Sequence, residues 1–132
     1  MDKELNKLTY PVEFRWLVAH GFKGLTPWHF IDAKKAESLR YEFQKETDSP
    51  NHKIQDILAF ASRQDRDDIA GFLVKNGVVT NCVIEVHLTW KGSPETIGYP
   101  TIDFYDSIWA WLKTVLDETA LWCSEQELLD LS

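Results

Sequence analysis

The stretch Arg63-Gln64-Asp65-Arg66-Asp67-Asp68 puts five charges into six residues, between two apolar runs. Carboxylates at that density serve a metal, a general acid and base, a turn, or a surface that meets another protein. Glu85 and His87 follow downstream, inside the alternating run Asn81–Trp90. They add a carboxylate and an imidazole to the groups that proton transfer would use.

Most chemistries fail on spacing. A calcium loop opening at Asp65 needs a ligand, a turn glycine and a bidentate acid where the chain has Ile69, Ala70 and Asn76. The four histidines are scattered, and no CxxC or HExxH pair marks a zinc site. There is no GxSxG elbow and no glycine-rich phosphate loop. Cys82 and His87 stand five apart on one strand, hence on opposite faces, which excludes a thiol–imidazole pair. Two carboxylates beside a histidine are left as an acid–base arrangement, but a chain with 21 acidic residues offers such pairs by chance. No enzymatic activity, catalytic residue, metal or cofactor is expected.

The elements that must position these residues read as α+β. Tyr10–Gly21 is a short helix, with Pro11 in its first turn, Gly21 after its last, and Phe14, Leu17 and Val18 as its apolar stripe. Leu25–Asp32 reads as a loop leading into an extended segment. Ala33–Glu46 is a second helix with a stripe through Ala36, Leu39 and Phe43. Thr47–Lys53 and Lys91–Pro100 are loops on composition. Asp56–Ser62, Asp68–Val74 and Asn81–Trp90 read as strands. Asp103–Trp122 is a closing amphipathic helix, with Asp103 as its cap and Asp106 three residues on. Phe104, Tyr105, Ile108, Trp109, Trp111, Leu112, Val115 and Leu116 fill its apolar arc; Asp106, Ala110, Lys113, Thr114, Asp117 and Glu118 fill the opposite one. The tail Ser124–Ser132 frays or extends this helix. The expected architecture is an antiparallel sheet of about four to six strands with N-terminal helices and the closing helix packed on it, a single domain over residues 1–132.

Asn76-Gly77 is the strongest local signal, since both residues accept the positive φ of a two-residue hairpin turn. Counting outward from it, Lys75 faces Val78, Leu73 faces Thr80, Gly71 faces Cys82, Ile69 faces Ile84 and Asp68 faces Glu85. Two carboxylates side by side would then call for a cation from Arg63, Arg66 or His87. On the second strand, Cys82, Ile84, Val86, Leu88 and Trp90 share one face, and Val83, Glu85, His87 and Thr89 the other.

With 44% apolar residues, six Trp and seven Phe, the chain can bury a real core. Met1–Tyr10 has no apolar signal core, no run is long enough to span a membrane, and two distant cysteines suit a reducing compartment, so a cytoplasmic location is expected. The net charge is −7; residues 103–132 hold one lysine, Lys113, against seven acids, and so carry −6 of it. Such a field repels nucleic acid and attracts basic partners. Base stacking on the tryptophans would need a basic groove that the chain lacks.

The order of motifs resembles the SUKH superfamily, which includes bacterial immunity proteins, yeast cell-wall synthesis regulators and a herpesvirus family. Tyr10–Gly21 looks like its first helix and Leu25–Asp32 like its early Trp-containing segment. Ile57–Phe72 resembles its strand–turn–strand with the paired aspartates, here Asp67-Asp68. Val83–Trp90 with Ser107–Glu118, including Ser107-x-Trp109-x-Trp111-Leu112, resembles its His-bearing strand and closing aromatic helix. After His87, the Leu88–Pro100 stretch keeps a Trp but departs from the family's pattern.

The resemblance implies a non-enzymatic α+β domain whose bacterial members neutralise toxins, often nucleases. The expected partner is a cognate toxin protein with a basic surface; no membrane and no nucleic acid are bound directly. Asp65, Asp67, Glu85, His87, Asp106, Asp117 and Glu118 are the expected partner-binding residues. Asp68, Asn76, Gly77, Trp109 and Trp111 are the structural motif. Two other uses of the same fold remain open: a regulatory or scaffolding module, and a small-ligand pocket between sheet and helix.

Overall fold

Alternating apolar residues in the middle of the chain become an antiparallel meander in the computed structural model, which describes residues 8–46, 56–65, 67–87 and 101–131 (for 42–46 and 101–102, the backbone alone). In chain order the elements are α1 (Val12–Ala19), β1 (Gly24–Leu25), β2 (Trp28–Phe30), α2 (Ala33–Glu46), β3 (Ile57–Arg63), β4 (Asp68–Lys75), β5 (Val78–His87), β6 (Thr101–Tyr105), α3 (Ile108–Trp122) and α4 (Glu125–Leu131). Among the described residues the strands form one sheet in the order β1-β2-β3-β4-β5-β6, antiparallel throughout. This is the expected α+β class. No described helix is long and apolar enough to cross a membrane.

Both faces of the sheet are covered. On one, Phe60, Ala61, Ala70, Phe72 and Val83 pack with Phe14 and Leu17 of α1 and with Ile108, Trp111 and Val115 of α3. On the other, Ile57, Ala59, Ile69, Leu73, Ile84 and Val86 pack with Leu39 of α2. The alternation expected for β5 holds: Cys82, Ile84 and Val86 face α2, while Val83 faces α3. A bulge between Ala59 and Ala61 sets Phe60 and Ala61 on the same side of β3. There the Tyr10 hydroxyl donates to the Ala59 carbonyl at 2.5 Å, and burial pushes the phenol up to about 12.

The hairpin turns at Asn76-Gly77, with φ of 52° and 78°, and Lys75 faces Val78 as expected. The register beyond it does not follow the simple count. Val74 still faces Val79, but Phe72 faces Val83, because β5 inserts two residues more than β4 between those pairs. Thr80 fills the irregularity: its hydroxyl donates to the Leu73 carbonyl at 2.7 Å and accepts from the Cys82 amide at 3.3 Å. A shift of two preserves which face each side chain takes and changes only its partner. Gly71 therefore faces Ile84, Ile69 faces Val86, and Asp68 faces His87 rather than Glu85.

Leu25–Asp32 holds the expected extended segment as β2, and Gly24-Leu25 pairs with it as β1 across Thr26-Pro27. Three other expectations are corrected. Residues 101–105 form the edge strand β6, so α3 starts later than expected. Its cap is Ser107, whose hydroxyl accepts from the Ala110 amide at 3.2 Å, and not Asp103. The tail forms the separate helix α4 after Cys123. The buried stripe of α3 is also narrower than the expected arc. Ile108, Trp111 and Val115 are buried and Leu112 is half-buried, while Phe104, Trp109 and Leu116 are exposed, as is Val18 of α1. The expected loops 47–53 and 91–100, the Phe43 side chain, Arg66, Leu88 and Trp90 lie outside the described residues.

Gly71 gives a direct test of this packing. A Cβ there would sit 2.6 Å from Ile57 Cγ1 and 2.8 Å from the Ala59 backbone of β3. Gly71→Ala is expected to cost roughly 1–3 kcal/mol through overpacking, read in urea melts. An unchanged midpoint would contradict the packing described.

Candidate functional site

Three polar pairings lie on the sheet face that α3 covers. The first joins the inner ends of β4 and β5. Asp68 Oδ1 lies 2.6 Å from His87 Nδ1, with the Asp68 side chain 2% exposed and the His87 side chain 31%. A carboxylate only accepts, so the Nδ1 proton is the one donated and the ring orientation is set. Sequence spacing named His87 among the cations that could sit beside Asp68. The two-residue shift is what brings it there.

The second pairing is Glu85 with Trp111. Glu85 is 6% exposed and lies in register with Ala70 on one side and Asp103 on the other. Two carboxylates do stand side by side, then, but they are Glu85 and Asp103. The indole N–H of Trp111 donates to Glu85 Oε2 at 2.9 Å. Burial raises the Glu85 carboxyl to about 7; the indole N–H opposes this, and the negative charges of Glu118, Asp103 and Asp68 add to it. Tyr105, in hydrogen-bonding range of Thr114 and Glu85, is pushed up by burial and by the Glu85 and Asp103 charges.

The third pairing ties the charged turn to α3. The Trp28 indole N–H donates to Glu118 Oε1 at 3.2 Å. Arg63, with its side chain 10% exposed, donates from Nη1 to Glu118 and from Nε to Asp65 Oδ1 at 2.6 Å. Its guanidinium carbon stands 5.8 Å from the centre of the Trp28 ring. Trp28 and Trp111 meet edge to face at 5.6 Å. The logic is one of satisfaction. Two tryptophans bury their rings in the core, each indole N–H needs an acceptor, and each finds a carboxylate.

The expected partner-binding residues are therefore sorted by the fold. Asp65 and Glu118 are brought together on Arg63, so the turn and the closing helix form one continuous region. Glu118 faces this ion pair and not the solvent side expected from the helical wheel. Glu85 is inside and offers no surface to a partner. His87 is half-exposed on Asp68. Asp65, Asp67, Asp106 and Asp117 are exposed. Of the structural set, Asp68 and Trp111 are buried, Asn76-Gly77 is the turn, and Trp109 points outward at 42% exposure. Sequence reasoning missed Trp28 as the residue on which Glu118 and Arg63 meet. Its only signal was an apolar Trp beside Pro27, which says nothing about a partner ninety residues away.

Chemically, Asp68–His87 is an oriented imidazole and the other pairings are structural. Among the described residues no group of three or more His, Cys, Asp or Glu converges as a metal site would require. Comparison with family models, curated proteins and solved structures finds no match to this chain.

Glu85 makes stability depend on pH with a defined sign. Its folded value lies above the ordinary carboxyl value of 4.5, so the folded state binds the proton more tightly than the unfolded chain. Its contribution is fully present below about 4.5 and is lost as pH rises through about 7. Glu85→Gln keeps an acceptor for Trp111 and removes this loss. Between those pH values the wild type should lose up to about 1.4 kcal/mol per pH unit relative to the variant. Parallel curves in urea melts from pH 4.5 to 8 would contradict the buried-carboxyl assignment.

Proposed function

We propose that the protein is a non-enzymatic immunity protein of the SUKH type, which binds a toxin domain in the cytoplasm and blocks it. The toxin would be a nuclease with a basic nucleic-acid groove. The observation that carries this reading is the distribution of acidic residues. Residues 103–132 hold −6 of the −7 charge. Asp103, Asp106, Asp117, Glu125 and Asp130 are exposed there, with Lys113 as the one cation of the segment. Two acids that could have joined this field, Glu85 and Glu118, are instead held on Trp111 and Arg63. What faces solvent on α3 is left to act at a distance, where a partner of opposite charge is steered into contact before any specific pairing forms. The motif order described above supports the same reading.

Neutralisation in this scheme is occlusion and needs no chemistry from Asp68 or His87. Cells producing the toxin encoded beside this gene are expected to survive only when the protein is present. If no adjacent gene product binds it and it protects against nothing, a regulatory or scaffolding module becomes the better reading.

Steering has its own signature. Reversing Asp106 and Asp117 to Lys is expected to slow association with the toxin domain about 10-fold at low salt. Dissociation should change by no more than about 2-fold, and the wild-type and variant rates should converge as salt screens both. Stopped-flow measurements check this; a faster dissociation with unchanged association would contradict long-range steering. Glu118 is left out of this variant because its reversal would also break the Arg63 pair.

A further inference from the structure

α3 is fastened to the sheet at two levels, two helical turns or about 10 Å apart. Near its C-terminal end, Glu118 accepts from the Trp28 indole and pairs with Arg63. α4 adds a second tie at this end, since the buried Thr26, in the turn between β1 and β2, donates its hydroxyl to Glu127. Near the N-terminal end the polar ties run through Glu85. The Trp111 indole donates to it at 2.9 Å, and the Tyr105 hydroxyl is in hydrogen-bonding range of both Glu85 and Thr114 of α3.

The two levels differ in how their charge is answered. Three carboxylates act on Glu85: Asp68 from β4, Asp103 from β6 and Glu118 from α3. Asp68 lies on His87, two residues from Glu85 along β5; Glu118 lies on Arg63; Asp103 is exposed to water. Glu85 itself is buried, and its partners are the neutral Trp111 and Tyr105 side chains. A neutral carboxyl keeps the Trp111 bond through its carbonyl oxygen. A carboxylate in the same place is a buried charge without a cation, which is the costly case. Water relieves it, and water reaches it when Trp111 and the turns around it leave the sheet.

We propose that Glu85 is a proton-dependent fastening: protonated, it holds the N-terminal half of α3 on the sheet; ionised, it lets that half swing out while Glu118 and Glu127 keep the C-terminal end in place. The burial of Ile108 and Trp111 opposes the motion, so the protonated form stays closed. Burial raises the Glu85 carboxyl to about 7 from an ordinary 4.5. An opened state that wets Glu85 binds the proton less tightly, so opening becomes easier as pH rises from about 4.5 to 7 and gains nothing further above that. The half that moves carries the exposed Trp109 and follows Asp106, so the proton sets how well ordered that part of the outer surface is. The motion is local, whereas the loss of stability read in urea is that of the whole fold.

The two buried indole N–H groups report on the two levels separately, and their solvent exchange is followed by ¹H–¹⁵N NMR from about pH 5.5 to 8. Base catalysis of exchange acts on both indoles alike and cancels in the ratio of their rates. The Trp111 rate is expected to rise relative to the Trp28 rate by up to about 10-fold per pH unit as far as about 7, and then to level off. In Glu85→Gln, which keeps an acceptor for Trp111, the ratio should stay flat. A wild-type ratio that stays flat would overturn the proposal, whether neither indole opens or both accelerate together in global unfolding. A rise that persists in Glu85→Gln would overturn it as well, by assigning the proton to another group of the cluster such as Asp68 or His87. The wild-type ratio is read without the variant, so the test stands even where Glu85→Gln does not fold.

Discussion

Two buried indole N–H groups set the terms on which α3 meets the sheet. Trp28 and Trp111 are 0% and 1% exposed, and a buried donor without an acceptor costs about 1–3 kcal/mol. Each is answered by a carboxylate from the opposite element: Glu118 of α3 for Trp28 of the sheet, Glu85 of the sheet for Trp111 of α3. The exchange is reciprocal, and so it fixes the helix in both rotation and position along its axis. Arg63 completes it by compensating Glu118 and drawing Asp65 onto the same guanidinium. Glu85 has no such cation in its pairing, which is why its carboxyl rises where it is buried.

This constraint divides the acidic residues into two populations. Asp68, Glu85 and Glu118 are committed to His87, Trp111 and Arg63 inside or at the edge of the core. Asp117 of α3 and Asp106, just before its cap, remain outside and exposed. Once Trp111 is turned inward, Trp109 two residues earlier must lie on another side of the helix, where it meets Trp16 at an open hollow. The acidic and aromatic outer surface is thus a geometric consequence of how the inner surface is satisfied. The immunity reading draws on that surface.

Much of this was legible in the residues. Asn76-Gly77 marked its turn because few residue pairs tolerate two positive φ values, and the faces of β5 followed from strict alternation. Pairing partners did not follow, because the hydroxyl of Thr80 supports two extra residues in β5 and nothing in its type announces that. The parity of the shift explains why face assignments survived while Asp68 exchanged Glu85 for His87. The start of α3 was misplaced because Phe104 and Tyr105 continue a helical stripe as plausibly as they form an edge strand. Ser107 decides the matter by capping. Glu118 looked solvated on a helical wheel, which averages over position and cannot see that Arg63 and Trp28 stand opposite one particular turn. The site was therefore readable as a set of residue types, but its inner and outer members were separable only by contacts between distant parts of the chain.

The central claim is that partner contact falls on the outer surface made by α1 and α3. Hydrogen exchange of the protein, free and bound to the toxin domain that the immunity reading proposes as its partner, tests this most directly. The expected result is added protection in α1 and the first turns of α3, with α2 on the opposite face of the sheet unchanged. Protection confined to α2, or spread over neither helix of the α1–α3 face, would contradict it.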